Sequence, residues 1–430
     1  MLRGIAASQA VAAIAMSILT SVPVPTTAQT SVVPGSDAGP RFRADGLDAD
    51  VYGQKDGYPF CAGLTYMREL RCRVGAFSNF DKLYSSRAIA ASKSPARLGR
   101  AASEPNIRYS YAGQSRTLEQ YLDGHPVTGL LIAKGDAILV ERYQYGRTDT
   151  DRLTSFSMAK SIVGLLIGIA LKEGAIGSIN DLAEVYAPGL KGTEFGRTPI
   201  KALLQMSSGV PFREDYGDTS SDIYTLVNLT LGQDPGGSLA AVNRFNARYA
   251  QPGQRFSYSS ADTAVLGLIL VGATRNTVSD YASEKLWKPL GAEADASWIV
   301  DATGQEVTFA YFNAVLRDWA RLGLMLAHDG TWQGRTIVPR DWLLAATSIE
   351  QDSPFWSSSM KPGVHSPGYG YQTWLLPADR RMFALRGVRG QYVLVDPATK
   401  LVLVQTALAG NGTAAQELYA LWAALTSQSP

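Results

Sequence analysis

The chain of 430 residues contains little histidine and cysteine, and its charges show almost no excess of either sign. The 3 histidines are His125, His328 and His365, and no two of them are four positions apart. A helical HExxH zinc motif and a histidine-based metal cage are therefore excluded. With 40 basic and 38 acidic side chains the net charge is +2, and no cluster of Lys and Arg marks a nucleic-acid surface. We expect no nucleic-acid partner, no metal and no organic cofactor.

Several common catalytic and nucleotide-binding motifs are also missing. The chain has no G-x-S-x-G elbow, no P-loop, and no G-x-G-x-x-G following a strand. A hydrophobic fraction of 46% is ordinary for a globular protein, so global disorder is excluded. The length allows two or three domains of about 150 residues, or one large enzyme fold.

The first residues have the three-part layout of a secretory signal peptide. Arg3 supplies a positive charge, residues 4–19 are mostly small and apolar, and small residues before Gln29 predict cleavage after Ala28. The alternative is an uncleaved anchor, but the apolar stretch is shorter than the ~20 strongly hydrophobic residues of a membrane span. We expect an exported protein, periplasmic or secreted, with residues 1–28 removed and no stable membrane span.

The 2 cysteines, Cys61 and Cys72, lie in the segment that follows this leader. Export makes a disulfide between them possible, and closing a loop of this size stabilises a fold by roughly 3 kcal/mol in the chain-entropy model. Two thiols without nearby histidine are too few for a metal site. A structural disulfide is favoured over two free buried thiols, and neither reading makes the cysteines catalytic.

The remaining chain is organised as a tether and extension over residues 29–105, followed by one domain over residues 106–430. Runs 127–133 and 137–143 predict a β-hairpin, and the uniformly apolar run 162–171 predicts a buried helix. Helical patterns dominate from about 181 to 344, including an amphipathic helix at 313–328. Strand patterns at 381–385, 391–395 and 401–406 and a helix at 414–425 complete the domain.

This order of patterns predicts the fold class. We expect an α/β (α+β) sandwich, in which one antiparallel sheet flanked by helices is built from both ends of the domain. The sheet part would come from about 106–180 and 345–430. An all-helical lobe, about 181–344, would be inserted between the two.

The sequence with the clearest chemical meaning is Ser157-Met158-Ala159-Lys160. Residues three apart share one face of a helix, so the lysine can reach the serine hydroxyl. A serine becomes nucleophilic when a base takes its proton, and a lysine is such a base when burial lowers its pKa. The first helical turn also leaves the Ser157 N–H free as one half of an oxyanion hole. The alternative is a structural helix from which Lys160 merely extends its charged end.

A second S-x-x-K copy runs from Ser358 to Lys361. Pro362 and Gly363 follow it immediately, and no apolar helix does. The sequence context therefore favours Ser157 as the nucleophile.

Two further elements carry candidate site residues. Tyr258, in Tyr258-Ser259-Ser260, precedes an apolar helix and near a lysine can shuttle protons, although it also fits a half-buried aromatic. Residues 387–391 (GVRGQ) lie where one strand ends and the next begins, so that the Gln391 N–H is a candidate second oxyanion donor. A plain bulge or turn is the alternative there.

Over residues 106–428 the chain resembles the serine β-lactamase-like hydrolases and penicillin-binding proteins, which carry the S-x-x-K nucleophile. Within that family it is most similar to the 6-aminohexanoate-dimer hydrolases and related carboxylesterases. The resemblance implies Ser157 as nucleophile, Lys160 as its base and Tyr258 as the tyrosine of the Y-x-N/S element. It also implies that Tyr216 donates a hydrogen bond to an amide leaving nitrogen. The motifs that carry it are residues 155–161 (SFSMAKS), 203–209 (LLQMSSG), 258–260, 317–323 (RDWARLG) and 387–391.

Two positions depart from true β-lactamases. No Lys-Thr-Gly or His-Thr-Gly triplet occurs, and Arg389-Gly390 stands where it is expected, so that Arg389 would be the cation meeting a substrate carboxylate. Ser260 replaces the Y-x-N asparagine and removes an amide donor. Both changes disfavour efficient turnover of β-lactams.

The sequence therefore predicts a serine hydrolase that cleaves an ester or amide bond of a small substrate through an acyl-enzyme on Ser157. One alternative is a β-lactamase or D-amino-acid peptidase acting on lactam or cell-wall-like substrates. Another is a penicillin-binding sensor module that binds its ligand without turning it over. The patterns do not define the oligomeric state.

Overall fold

The computed structural model of the chain describes residues 42–232, 234–348, 368–410 and 412–427. The predicted signal peptide, the start of the predicted tether, His365 and the second S-x-x-K copy at Ser358–Lys361 lie outside the described residues.

The helices and strands of the described residues have the following bounds. The helices are α1 Arg73–Phe77, α2 Phe80–Leu83, α3 Leu118–Gly124, α4 Met158–Lys172, α5 Ala183–Tyr186, α6 Ile200–Leu204, α7 Asp222–Leu231, α8 Gly237–Asn243, α9 Ser260–Thr274, α10 Val278–Ala282, α11 Lys288–Leu290, α12 Leu316–Ala327, α13 Arg340–Thr347 and α14 Gly412–Ser427. The strands are β1 Ser86–Ile89, β2 Gly99–Arg100, β3 Arg108–Tyr111, β4 Gln114–Thr117, β5 Val127–Lys134, β6 Ala137–Tyr143, β7 Leu153–Thr154, β8 Ala296–Ile299, β9 Phe312–Ala314, β10 Thr331–Trp332, β11 Arg335–Thr336, β12 Gly368–Tyr369, β13 Trp374–Leu375, β14 Phe383–Gly387, β15 Gln391–Asp396 and β16 Leu401–Ala407.

The main sheet has 8 strands in the order β12-β13-β14-β15-β16-β5-β6-β2. Its early part and its late part join where β16 pairs antiparallel with β5, from Leu401 opposite Lys134 to Ala407 opposite Val127. Strands β5 and β6 form the hairpin predicted from the two β-rich runs and the turn between them. The prediction of one sheet built from both ends of the domain is confirmed, and only the short edge strand β2 pairs in parallel.

Helices cover both faces of this sheet, which is why its central strands are apolar on both sides. In β16, Val402 and Val404 pack into the core that contains α4 and α12, whereas Leu401 and Leu403 pack into the core formed with α3 and α14. Alternate residues of a strand point to opposite faces, so one strand serves both cores. This is the predicted sandwich.

The middle of the chain forms a helical group and a second, smaller sheet. Helices α5, α6 and α8 pack around α9, which itself packs against α4. The second sheet has the order β1-β8-β9-β7.

The helix predicted at residues 313–328 is wrong at its beginning. Phe312–Ala314 is strand β9, which pairs with both β7 and β8, and the helix begins at Leu316. Strand pairing with residues distant in sequence competes successfully with the local helical periodicity. Helix α12 also packs on β16, β15 and β5 of the main sheet, outside the helical group.

Residues 42–100 pack onto the domain through an aromatic cluster. Tyr66 is fully buried and contacts Phe77 and Phe80 edge-on, and both of those rings contact Phe156. Strand β1 extends the second sheet beside β8. Cys61 and Cys72 form a disulfide, which confirms the favoured reading of these cysteines.

Candidate active site

Ser157 lies in the turn between β7 and α4, immediately before the first residue of the helix. Phe156 has a left-handed backbone with φ 41°, a conformation that costs about 1–3 kcal/mol for a residue with a side chain. Its ring packs against Phe77, Phe80 and Tyr311, and this packing holds the turn in place. Ser157 caps the helix and is only 7% exposed, with its side chain at the edge of a cleft.

Lys160 is buried one helical turn further on, because the helix continues into the apolar core. Its Nζ lies 2.9 Å from Ser157 Oγ, 3.0 Å from Ser260 Oγ and 2.8 Å from the Phe309 carbonyl oxygen. Burial lowers the pKa of Lys160 to about 8, although the nearby Glu214 carboxylate opposes the shift. In the neutral form the amine keeps two hydrogens for Ser260 and Phe309, so its lone pair faces Ser157.

Tyr258 lies beside this pair. Its ring centroid is 5.2 Å from Lys160 Nζ, and the ring stacks on Trp374 and meets Tyr369 edge-on. Burial raises the pKa of Tyr258, while a hydrogen bond with the Ser157 side chain lowers it by less. The neutral phenol is therefore favoured.

Ser260 and Tyr216 are joined by a residue that the motifs did not single out, Glu214. One Glu214 oxygen accepts hydrogen bonds from Ser260 Oγ at 3.0 Å and from the Tyr216 hydroxyl at 2.6 Å. The other accepts from the Ser260 backbone N–H at 2.7 Å, at the N-terminus of α9. A continuous path of hydrogen bonds therefore runs from Lys160 through Ser260 to Glu214 and Tyr216. Burial, followed by the Glu214 charge, raises the pKa of Tyr216.

The structure brings one part of the β14–β15 hairpin to Ser157. A Cβ on Gly387 would lie 2.3 Å from the Ser155 carbonyl oxygen, so only glycine allows the hairpin to approach the nucleophile turn this closely. Val388, the next residue, lines the cleft together with Ser157. Within the described chain, neither the Ser157 nor the Val388 N–H donates a hydrogen bond to a protein group.

Gln391 and Arg389 lie further along the same hairpin. Gln391 pairs with Gly387 in the strand register, and its buried side chain donates to the Ala407 carbonyl, which turns it away from Ser157. Arg389 lines the cleft, but one of its terminal nitrogens donates to the Met67 carbonyl at 3.3 Å, and burial lowers its pKa. A second cation that lines the cleft is Arg386, which the motifs did not single out.

Arg386 is held by aromatic rings. Its guanidinium lies 4.9 Å from the Trp374 ring centroid, 5.7 Å from that of Tyr392 and 6.0 Å from that of Tyr419. No carboxylate of the described residues forms an ion pair with it. Trp374 also stacks on Tyr258, so the cation and the nucleophile line the same cleft.

Two cavities meet at Ser157. The larger has an empty volume of about 1280 Å³ and is lined by polar and aromatic groups that include Tyr258, Arg386 and Arg389. The smaller has an empty volume of about 480 Å³ and is mainly apolar. Tyr216 and Val388 line both cavities. When a substrate carbonyl lies at Ser157, one part of the substrate can therefore occupy the polar cavity and another part the apolar cavity.

No group of three or more His, Cys, Asp and Glu side chains suited to a metal ion occurs among the residues that the structure describes. The chemistry offered by the site is that of a buried serine, a lysine with a lowered pKa and a neutral tyrosine. Serine hydrolases whose base is a lysine use groups of these kinds.

The chain belongs to the beta-lactamase family, whose model matches residues 115–425. Among its relatives is the 6-aminohexanoate-dimer hydrolase of Paenarthrobacter ureafaciens, which is 27% identical over 308 residues, or 70% of this chain and 78% of that protein. This kinship confirms the predicted membership and the prediction of a β-lactamase-related hydrolase.

Solved structures share the fold. A protein of Bacillus anthracis described as a candidate 6-aminohexanoate-dimer hydrolase matches with a TM-score of 0.76 at 21% identity, covering 86% of this chain and 97% of its own. A family VIII carboxylesterase matches with a TM-score of 0.52 at 17% identity, covering 70% and 94% of the two chains. The predicted fold class is thereby confirmed.

Proposed function

We propose that Ser157 is the nucleophile of a hydrolase that cleaves an ester or amide bond of a small substrate. The observation that carries this proposal is the 2.9 Å contact between Ser157 Oγ and the buried Lys160 Nζ, together with a lysine pKa of about 8. A substantial fraction of Lys160 is neutral near that pH, so it can accept the serine proton.

In the first half-reaction, Ser157 Oγ attacks the substrate carbonyl while its proton passes to Lys160. The negative oxygen that develops is stabilised by the N–H groups of Ser157 and Val388, which have no other acceptor in the described chain. We propose Val388 in place of Gln391 because Val388 lines the cleft and Gln391 does not.

Protonation of the leaving group is the task proposed for Tyr258. The Ser157 side chain is near enough to lower the pKa of Tyr258, and burial, which raises this pKa by more, favours the neutral phenol. Tyr258 donates its proton to the leaving oxygen or nitrogen and recovers one from the Lys160 ammonium. Water then attacks the acyl-enzyme by the reverse route, which regenerates Ser157.

Ser260, Glu214 and Tyr216 position these groups. Ser260 accepts from Lys160 and donates to Glu214, which orients the lysine, and Glu214 in turn holds the Tyr216 hydroxyl. In the tetrahedral intermediate the leaving nitrogen regains its lone pair and can accept a hydrogen bond from Tyr216 in place of Glu214. This supports a role for Tyr216 at the leaving group of an amide substrate.

The substrate class is proposed from the relatives and from the cleft. The name of the Paenarthrobacter ureafaciens relative refers to the 6-aminohexanoate dimer, a linear amide. We infer that this chain cleaves small esters or amides and acts outside the cytoplasm, since disulfides such as Cys61–Cys72 persist in oxidising compartments. No helix among the described residues is long and apolar enough to cross a membrane.

Intact-mass spectrometry tests the nucleophile. The protein is mixed briefly with p-nitrophenyl esters, a linear aminohexanoate dimer and a penicillin, and Ser157→Ala is treated in parallel. We expect an acyl adduct or released product from at least one compound with the wild type only. Full hydrolysis by Ser157→Ala would refute the assignment.

A β-lactam or D-amino-acid peptide is the second substrate candidate, and Arg386 is the observation that favours it. These substrates carry a carboxylate, for which an unpaired guanidinium in the cleft is a suitable partner. Nitrocefin turnover by the wild type, reduced in Arg386→Ala, would support this candidate. An adduct that forms and is never released would instead indicate the sensor module.

A further inference from the structure

The smaller cavity at Ser157 is closed by a segment that lies outside the part of the chain matching the family model. Leu64 and Met67 line this cavity, and Met67 lines the larger one as well. Both residues lie between Cys61 and Cys72 and therefore inside the loop that the disulfide closes. The family match begins at residue 115, so these side chains belong to no family motif.

Buried arginines fix this disulfide-closed segment, residues 61–72, to the domain. Arg73 is only 6% exposed and donates to the carbonyl oxygens of Tyr66, Met67 and Leu408. Arg389, from the hairpin next to Ser157, donates to the Met67 carbonyl as well. Two guanidinium groups therefore hold the backbone of Met67 against the catalytic hairpin.

The buried Tyr66 fixes the segment from the other side. Its hydroxyl lies 3.4 Å from that of Tyr311, and its ring belongs to the cluster that packs on Phe156 beside the nucleophile. The segment and the nucleophile turn therefore share one core. Leu64 and Met67 are held in a defined position relative to Ser157.

The cavity that results is apolar and small. Its empty volume of about 480 Å³ is less than half that of the neighbouring cleft, about 1280 Å³. Its lining also includes Ile223 and Val227 of α7 and Val388. A slender group without branches fits such a cavity, whereas a bulky or branched group does not.

We propose that Leu64 and Met67 select the substrates of the active site, and we call these two side chains of the disulfide-closed segment the specificity wall. The smaller cavity, here called the slot, binds an unbranched aliphatic group that is attached to the scissile carbonyl or to its leaving atom. This proposal rests on the proposed function of Ser157. Burial of each added methylene in the slot should raise kcat/KM by about 4-fold, up to the length at which the slot is full.

Esters of stepwise increasing length test the proposal. One series consists of p-nitrophenyl esters from acetate to octanoate with a branched pivalate, and a second series varies the alcohol from methyl to hexyl. The values of kcat and KM are measured for the wild type, Leu64→Ala, Met67→Ala and Met67→Phe. Leu70→Ala is the matched control, because Leu70 lies in the same loop but is exposed and lines neither cavity.

We expect the wild type to prefer one unbranched length in at least one series. Leu64→Ala and Met67→Ala should shift this optimum to longer or branched groups and lower kcat/KM at the wild-type optimum by about 10-fold, mainly through KM. Met67→Phe should shift it to shorter groups, and Leu70→Ala should leave it unchanged. Opposite shifts by two substitutions of one residue do not arise from misfolding.

Two negative results are distinguishable. If the wild type hydrolyses esters with Ser157 acylated but all variants share its length profile, the specificity wall is refuted while the proposed function stands. If the wild type neither hydrolyses nor is acylated by any ester of the two series, the linear aminohexanoate dimer or the penicillin, the proposed function fails and the wall proposal fails with it.

Discussion

Replacement of Glu214 by glutamine should move the pH dependence of hydrolysis to lower pH. Glu214 touches Ser260, and Ser260 touches Lys160, with both contacts at 3.0 Å. A carboxylate stabilises a nearby ammonium, so it raises the lysine pKa and opposes the effect of burial. Glutamine has nearly the same shape as glutamate but no charge. The substitution should therefore lower the pKa of Lys160 further.

The magnitude follows from the separation of the charges. The two contacts place Lys160 Nζ within about 6 Å of the Glu214 oxygen, and at an effective dielectric constant of about 20 this corresponds to about 3 kcal/mol. Glu214 is half-buried, so solvent screens part of this interaction. We expect the acid limb of kcat/KM to move by about 1 pH unit, which equals about 1.4 kcal/mol.

The assay measures kcat/KM for one ester from about pH 5 to about pH 10. Such a profile reports the pKa values of the free enzyme, and these limits lie on both sides of the expected values. The wild-type acid limb should lie at about 8, and that of Glu214→Gln at about 7. The plateau should also fall, because one glutamine oxygen cannot replace both carboxylate contacts to Ser260. Glu284→Gln is the control, since Glu284 is exposed and pairs with Lys288. An acid limb that stays in place, or moves to higher pH, would refute the role of Lys160 as the base coupled to Glu214.

Three further predictions concern single groups. Tyr258→Phe should lower kcat by about 10²–10⁴-fold with a smaller change in KM, measured on an amide substrate, and an unchanged kcat would exclude a proton-transfer role. Burial raises the pKa of Asp262 to about 7, above its unfolded value near 4, so the folded state binds the extra proton and loses stability as the pH rises between these values. Asp262→Asn should therefore flatten the pH dependence of the free energy of unfolding, measured with urea, over that range. If the variant keeps the wild-type dependence, other groups cause it. Cys61→Ser with Cys72→Ser should lower the free energy of unfolding by roughly 3 kcal/mol in urea titration, and a loss near zero would show that the loop is held without the bridge.

Features that depend on neighbours along the chain could be predicted from the sequence. The apolar run after Lys160 requires a buried helix, and a helix places Ser157 and Lys160 on one face, so the central pair was predictable. Two β-rich runs on either side of the turn at Gly135 likewise predicted the β5–β6 hairpin. The presence of two cysteines in a chain expected to be exported favoured the disulfide.

Contacts between distant segments were decided only by the tertiary structure. Glu214 reaches Ser260 across 46 positions, and nothing in the loop around it distinguishes it from its acidic neighbour Asp215. Val388 lines the cleft with Ser157 and Gln391 does not, because the hairpin register, which sequence spacing does not reveal, places the Gln391 side chain against the Ala407 carbonyl of β16.

Strand β9 and the specificity wall also depend on contacts between segments that are distant in sequence. Residues 313 and 314 were predicted as the beginning of a helix, but β7 and β8 supply strand partners that the local sequence cannot show. Leu64 and Met67 are ordinary apolar residues until Arg73 and Arg389 hold their segment against the cleft. Local periodicity encodes which side chains are buried, whereas the identity of their partners depends on how the whole chain packs.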